Sequence, residues 1–181
     1  MPTPAADTPI ATFSNCHAGI LGQLQALDAL PAAVEAARRA RHTAEATRRF
    51  FRDVVLAHHA DEERELFPAV LASARPGEER AQVQAITERL TAEHREVEAA
   101  FARLEPALAD IARGRDAALD AAAVAALVAR YQAHAQYEEA LFLPLSQTIL
   151  GRNANHLAAL GLSLHTRHVD AQALVGGGFH V

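Results

Sequence analysis

The 181-residue chain has no lysine, no tryptophan, one cysteine and only two tyrosines. A single cysteine excludes an internal disulfide and a cysteine-rich zinc site. The net charge of −5 at pH 7 argues against nucleic-acid binding, which requires a basic surface. There is no run of 18 apolar residues, so we expect no segment to cross a membrane. The composition therefore favours a globular protein with neither kind of partner.

The N-terminal residues lack the basic region and following apolar stretch that mark a signal peptide. We therefore expect a cytoplasmic protein. In that compartment the lone thiol, Cys16, would stay reduced.

Half of the residues are apolar, and alanine is prominent among them, which favours helix over strand. Proline and glycine divide the chain into segments with helical periodicity. The predicted helices cover residues 14–29, 32–72, 78–113, 120–149 and 154–175. Since all of these elements are helices, the predicted fold class is all-α. Short connections between the first four helices favour a bundle. We predict an antiparallel up-down-up-down four-helix bundle with an additional C-terminal helix.

The predicted domain boundaries follow from these breaks. Residues 1–13, which contain three prolines, are interpreted as a flexible arm. Residues 14–150 form the predicted bundle, in which Pro31 separates the first two helices. Residues 151–175 form the accessory helix. Residues 176–181, with three consecutive glycines, form a flexible tail.

One motif occurs twice, as His58-x3-Glu62-Glu63 and as His134-x3-Glu138-Glu139, each followed by a Leu/Phe pair and a proline. Four residues advance a helix by slightly more than one turn, so the histidine and the first glutamate of each copy share a face. Imidazole nitrogen and carboxylate oxygen together suit zinc, iron, copper or nickel. The spacing therefore predicts a site for one or two metal ions between two helices.

Two further histidines lie on apolar helix faces. His94 belongs to the stripe of the third predicted helix, and His17 heads the stripe of the first. A buried imidazole is unfavourable unless it is paired or bound. Four helices would thus each contribute one inward imidazole.

These motifs resemble the hemerythrin-like, or HHE cation-binding, family over about residues 14–148. The resemblance implies a four-helix bundle around two non-haem iron ions with an oxo or hydroxo bridge. It further implies four histidine ligands at the iron ions and two bridging carboxylates. The implied metal ligands are His17, His58, Glu62, His94, His134 and Glu138.

The sequence departs from the family pattern on the third predicted helix. Members that carry oxygen place a His-x3-His pair there, whereas Leu90 lies four residues before His94. The sequence leaves open whether another side chain or a water completes the site. The candidate side chains are Tyr131, Glu98, His59 and His42.

The resemblance implies binding of O2 or a related small ligand, NO or peroxide, for sensing, storage or defence against oxidative or nitrosative stress. Iron-cluster repair and peroxide breakdown by a di-iron enzyme are the alternatives within the family, so enzymatic activity stays open. A ferritin-like oxidase is disfavoured, because that family uses Glu-x2-His pairs. The remaining alternative is a metal-poor helical interaction module. A homodimer is also left open, with the fifth helix as its contact.

Overall fold

The computed structural model describes residues 9–152, with side chains from residue 15 onward, and within that range the secondary structure is helical without strands. Six α-helical segments are present. They are α1 (Pro9–Phe50), α2 (Leu56–Asp61), α3 (Phe67–Ser73), α4 (Glu78–Ala112), α5 (Ala121–Tyr137) and α6 (Leu143–Leu150). Single π-helical turns at Phe51–Val55, Glu62–Leu66 and Glu138–Phe142 join some of them.

The segments form three long helices, because the residues flanking each π turn keep right-handed helical dihedrals. The first long helix comprises residues 9–73, the second is α4, and the third comprises residues 121–150. The observed bounds of α4 agree with the predicted 78–113 to within one residue.

Two of the π turns begin at the first glutamate of each copy of the repeated motif. The N–H of Phe67 donates to the carbonyl of Glu62, and the N–H of Leu143 donates to that of Glu138, both over five residues. A proline follows each turn, Pro68 and Pro144, near the start of the next α segment. A wider turn accommodates a residue that has no N–H and whose ring crowds the preceding turn. The proline of the motif thus fits the wider turn that precedes it.

The connections between the long helices are short and are fixed by local chemistry. Gly77, just before α4, has φ +99°, which side chains with a Cβ rarely adopt. At the start of α5 the Asp120 carboxylate accepts hydrogen bonds from the backbone N–H groups of Ala122 and Ala123, at 2.8 and 3.2 Å. Such an N-cap fixes the start of the third long helix.

Two apolar clusters fill the interior, one at each end of the packed region. The closed end comprises Phe67, Val70, Ala74, Val83, Ile86, Leu90, Phe142, Ile149 and Leu150, all buried. The open end comprises Ala44, Phe51, Val55, Val97, Phe101, Leu104 and Leu108. At the open end the apolar residues of α5 are only partly buried, among them Val124, Leu127 and Tyr131.

The predicted break at Pro31 is wrong, because α1 runs through this proline from Pro9 to Phe50. One proline in a helix costs about 3 kcal/mol, which an alanine-rich helix of this length tolerates. Residues 26–41 also contain no glycine, asparagine or serine that would favour a reversal of the chain. In the described residues three long helices therefore replace the predicted four-helix bundle.

Other predicted segments lie at the limits of the described residues. Pro9–Phe13, assigned to a flexible arm, begin α1. The accessory helix over 151–175 and the tail over 176–181 lie outside the described residues, except for a turn at 151–152. Within the described part of the chain, none of the helices has the length and apolar character needed to traverse a bilayer.

Candidate metal centre

The three long helices bring two groups of histidine and glutamate side chains together. The three-histidine group consists of His59, His94 and His134, and the carboxylate group consists of His58, Glu62 and Glu138. Within each group the candidate ligand atoms lie within 4.8 Å of one another. Each group combines side chains from more than one long helix, so the fold rather than one helix face creates the site.

The three-histidine group is closed to solvent. His59, His94 and His134 are 1%, 0% and 3% exposed. Among the described residues, the Nε2 atoms of these three rings have no hydrogen-bond partner, and neither does Oε2 of Glu62. An unpaired buried polar atom costs about 1–3 kcal/mol, so four together make a strongly unfavourable arrangement unless something binds them. Bound cations can satisfy these atoms, because each atom can present a lone pair.

The other ring nitrogen of each buried histidine faces a carboxylate. A ring Nδ1–H that donates to a carboxylate leaves the lone pair on Nε2, which is the tautomer a metal ligand needs. The three pairs are His59 with Glu98 (3.1 Å), His94 with Glu63 (2.8 Å) and His134 with Glu93 (3.2 Å).

Two arginines of α4 hold these carboxylates in place. Arg95 donates to Glu98 at 3.0 Å and also to Glu63, so one guanidinium orients the partners of two rings. Arg89 donates to Glu93 at 2.7 Å, and its guanidinium lies 3.6 Å from the centre of the Tyr137 ring. The orientation of the three rings therefore depends on a charged network on the outside of α4.

Glu62 connects the two groups. Its Oε1 lies 3.3 Å from Nε2 of His58, and its Oε2 lies 3.2 Å from Nε2 of His94, although that contact lacks hydrogen-bond geometry. Glu138 Oε2 lies 4.0 Å from Nε2 of His134. One carboxylate thus has an oxygen directed to each group, as a bridging ligand between two ions would.

Burial sets the protonation of these side chains. Burial, with His94 as a further cause, lowers the pKa of His59 to about 4, so its ring is neutral at physiological pH. Burial raises the pKa of both Glu62 and Glu138, and the nearby Glu62 is a further cause for Glu138. Raised pKa values mean that the charged form of these buried carboxylates is unfavourable unless a proton or a cation neutralises it.

The sequence model of the hemerythrin HHE cation binding domain matches residues 8–146. The chain belongs to this family. No curated protein and no solved structure matches the chain. The family predicted from the repeated motif is therefore confirmed, and metal binding by a helical domain is the function class it indicates.

Five of the six predicted ligands of this hemerythrin-family chain fall in the two groups, and His17 does not. His17 lies on an exposed part of α1, as does His42. Of the four side chains kept open as a further ligand, His59 lies in the three-histidine group. Glu98, another of the four, contacts the His59 ring and Arg95 instead.

Of the three carboxylates that face Nδ1 atoms, only Glu98 was named from the sequence as a candidate for the site. Glu63, the second glutamate of the first motif copy, faces His94. Glu93 faces His134 from a different helix. The second glutamate in the motif was a signal for Glu63, whereas no local pattern marks a contact between residues 41 apart in the chain.

A cavity of about 380 Å³ opens beside the carboxylate group, between the first and third long helices. His58, Tyr131 and Leu143 are among its lining residues. Burial and then the charges of Glu62 and Glu138 raise the pKa of Tyr131, so the phenol keeps its proton. Tyr131 thus offers a hydrogen-bond donor at the entrance to the site.

Proposed function

We propose that this hemerythrin-family protein holds two non-haem iron ions that share a solvent-derived bridge, and that it binds O2 or a related small ligand, NO or peroxide, beside them. The observation that carries the proposal is the convergence of three buried Nε2 atoms and one Glu62 oxygen, none of which has a hydrogen-bond partner among the described residues. Imidazole and carboxylate are ligands that iron accepts.

The two ions would have unequal sets of protein ligands. His59, His94 and His134 would hold the first ion in the closed interior, and His58 would hold the second beside the cavity. Glu62 and Glu138 would lie between the ions, which the contacts of Glu62 with His58 and His94 support. The second ion then has the fewer protein ligands among the described residues.

When bound, the iron supplies the electrons and open coordination positions for a diatomic or peroxide ligand. The chain's own residues do the rest. Burial keeps His59 neutral, the carboxylates of Glu63, Glu93 and Glu98 fix the ring tautomers, and Tyr131 offers a proton at the cavity. The apolar residues of both ends limit the entry of bulk water.

The cavity gives O2, NO or peroxide access to the carboxylate group, and Tyr131 adds a proton donor to its lining. Sensing, storage and stress defence share this chemistry. Peroxide breakdown would differ by net turnover, and iron-cluster repair by loss of iron to an acceptor.

The test is anaerobic loading of the purified protein with Fe(II), followed by exposure to air. We expect about two irons per chain and charge-transfer bands that bleach on reduction and return with O2. Turnover of added peroxide under the same conditions would assign an enzyme, and a stable spectrum without turnover would assign a carrier or sensor. A featureless spectrum with no retained iron would reject the metal centre and favour the helical interaction module.

A further inference from the structure

The N-terminal part of α1 carries an apolar face that nothing in the described structure covers. We name residues 15–43 the arm, and every side chain in it is exposed. Its large apolar residues are each more than half exposed: Ile20, Leu21, Leu24, Leu27, Leu30 and Val34. Asp28 is the one carboxylate or arginine between residues 15 and 34. A helix with such a face requires an apolar partner in water.

The packed region lacks cover along one side. At the open end, Val124, Leu127 and Tyr131 of α5 are only partly buried, whereas Val97, Phe101 and Leu104 of α4 are buried. Next to them lies the cavity between the first and third long helices. We name this side the groove. It has the apolar surface and the position that a fourth helix of a bundle would cover.

The lengths of the arm's apolar face and the groove agree. The face runs from His17 to Val34, 18 residues or about 27 Å of helix. The groove runs along the first long helix from Ala44, where burial begins, to Glu62, 19 residues or about 28 Å. An antiparallel helix with Val34 beside Ala44 brings His17 level with the carboxylate group.

The arm cannot occupy the groove of its own chain, because α1 continues without reversal from the arm into the packed region. The arm of a second copy of the chain can occupy the groove instead. A twofold axis near the point where the arm leaves the packed region sets each arm antiparallel to the first long helix of the other copy. Both grooves are then filled by the same contact made twice, as a closed symmetric dimer requires.

We propose that the protein is a homodimer in which each copy places its arm in the groove of the other and supplies His17 to the other's carboxylate group. The exchange of arms rests on the apolar face and the groove alone. The role of His17 rests also on the proposed metal centre. In that role, His17 of one copy would be a ligand of the second ion in the other copy.

The first experiment uses Cys16, the only native cysteine, which is exposed and adjacent to His17. Ala135→Cys adds a thiol to the cavity lining, and Ala99→Cys adds a matched thiol to the exposed surface of α4. With a short bismaleimide we expect a covalent dimer on a denaturing gel for Ala135→Cys and none for Ala99→Cys. A link within one chain, or equal dimer yields from both variants, would overturn the exchange.

The second experiment mixes His17→Ala and His58→Ala chains by co-refolding. Each variant alone should lose iron from the second position. A mixed dimer contains one site with both histidines intact, so the mixture should regain second-position iron in proportion to the mixed dimers formed. No recovery, with iron retained at the three-histidine group, would overturn the supply of His17 by the partner and leave the proposed function standing. Loss of iron from all samples would instead reject the metal centre on which this role depends.

Discussion

The three-histidine group and the carboxylate group use the same kinds of side chain but face different surroundings. The rings of His59, His94 and His134 are buried and face carboxylates through Nδ1. The side chain of His58 is 32% exposed and lies beside the cavity. In the proposed metal centre, the closed set of ligands would retain an ion, while the half-open set would leave room for an external ligand.

The two groups also differ in how they are supported. Arg95 and Arg89 orient the carboxylates behind the buried rings. The closed end packs next to the same rings, with Phe67 at 6.0 Å from His94 between ring centres. The carboxylate group instead lines the cavity between the first and third long helices. Rigidity and access therefore differ between the two groups.

The largest effect should come from His94→Ala. This change removes a fully buried ring of the three-histidine group. Glu62 and Glu63 then lose the ring nitrogens that they face. We expect iron affinity at the first position to fall by more than the roughly 10–100-fold typical of indirect partners, and the second position to weaken with it. Metal analysis after gel filtration measures this. His42→Ala, on the exposed arm, is the control and should keep full iron.

His58→Ala should have a smaller and more selective effect. It removes a ligand of the carboxylate group and leaves the three buried rings intact. We expect one iron to remain where the native chain holds two, with the oxygen-dependent spectrum lost. Retention of both irons would contradict the assignment of the second position.

Arg95→Ala tests whether the closed group depends on its outer network. Without this guanidinium, Glu63 and Glu98 lose the contact that orients them toward His94 and His59. We expect about 10–100-fold weaker binding at the first position, measured by competition with a chelator. Arg152→Ala, which breaks an arginine–glutamate pair with Glu79 elsewhere, serves as the matched control. Equal affinities in the two variants would mean that the network does not act on the metal.

The smallest effect concerns the metal-free protein. Burial raises the pKa of Glu62 from 4.5 to about 7 and that of Glu138 to about 8. Carboxyls with raised folded-state pKa values stabilise the fold below their unfolded pKa, and this contribution is lost as pH rises through the folded values. The lowered pKa of His59 acts in the opposite sense only below about pH 6.5.

Between pH 6.5 and 8 the free energy of unfolding of the metal-free protein should therefore fall, by on the order of 1 kcal/mol, since one pKa unit corresponds to about 1.4 kcal/mol. Urea denaturation at the two pH values measures it. The iron-loaded protein should not show this decline, because the ions replace the protons. A flat or rising profile without metal would argue against a carboxylate pair buried without a counter-charge.

The sequence predicted those features that depend on residue spacing. The four-residue interval placed His58 beside Glu62 and His134 beside Glu138, and the family followed from the motif. The stripe of α4 predicted that His94 faces inward, where it is fully buried. Each of these depends on the regular 3.6-residue period of a helix.

The remaining features depend on departures from that period or on contacts distant in sequence. His58 and His59 are adjacent, and in a regular helix they diverge by about 100°. They lie in different groups on a helix with π turns on either side, which a hydrophobic pattern does not reveal. Pro31 was interpreted as a break, although no glycine, asparagine or serine lies near it. The positions of Glu93 and Arg95 relative to the rings follow from tertiary packing alone.

The central claim is that one chain holds two ions in unlike positions joined by Glu62 and Glu138. The most direct measurement is an anaerobic calorimetric titration of the metal-free protein with Fe(II), with metal analysis of the product. We predict two binding events per chain of different affinity, the weaker lost in His58→Ala and both impaired in His94→Ala. A single event unaffected by His58→Ala, or no binding, would contradict the account.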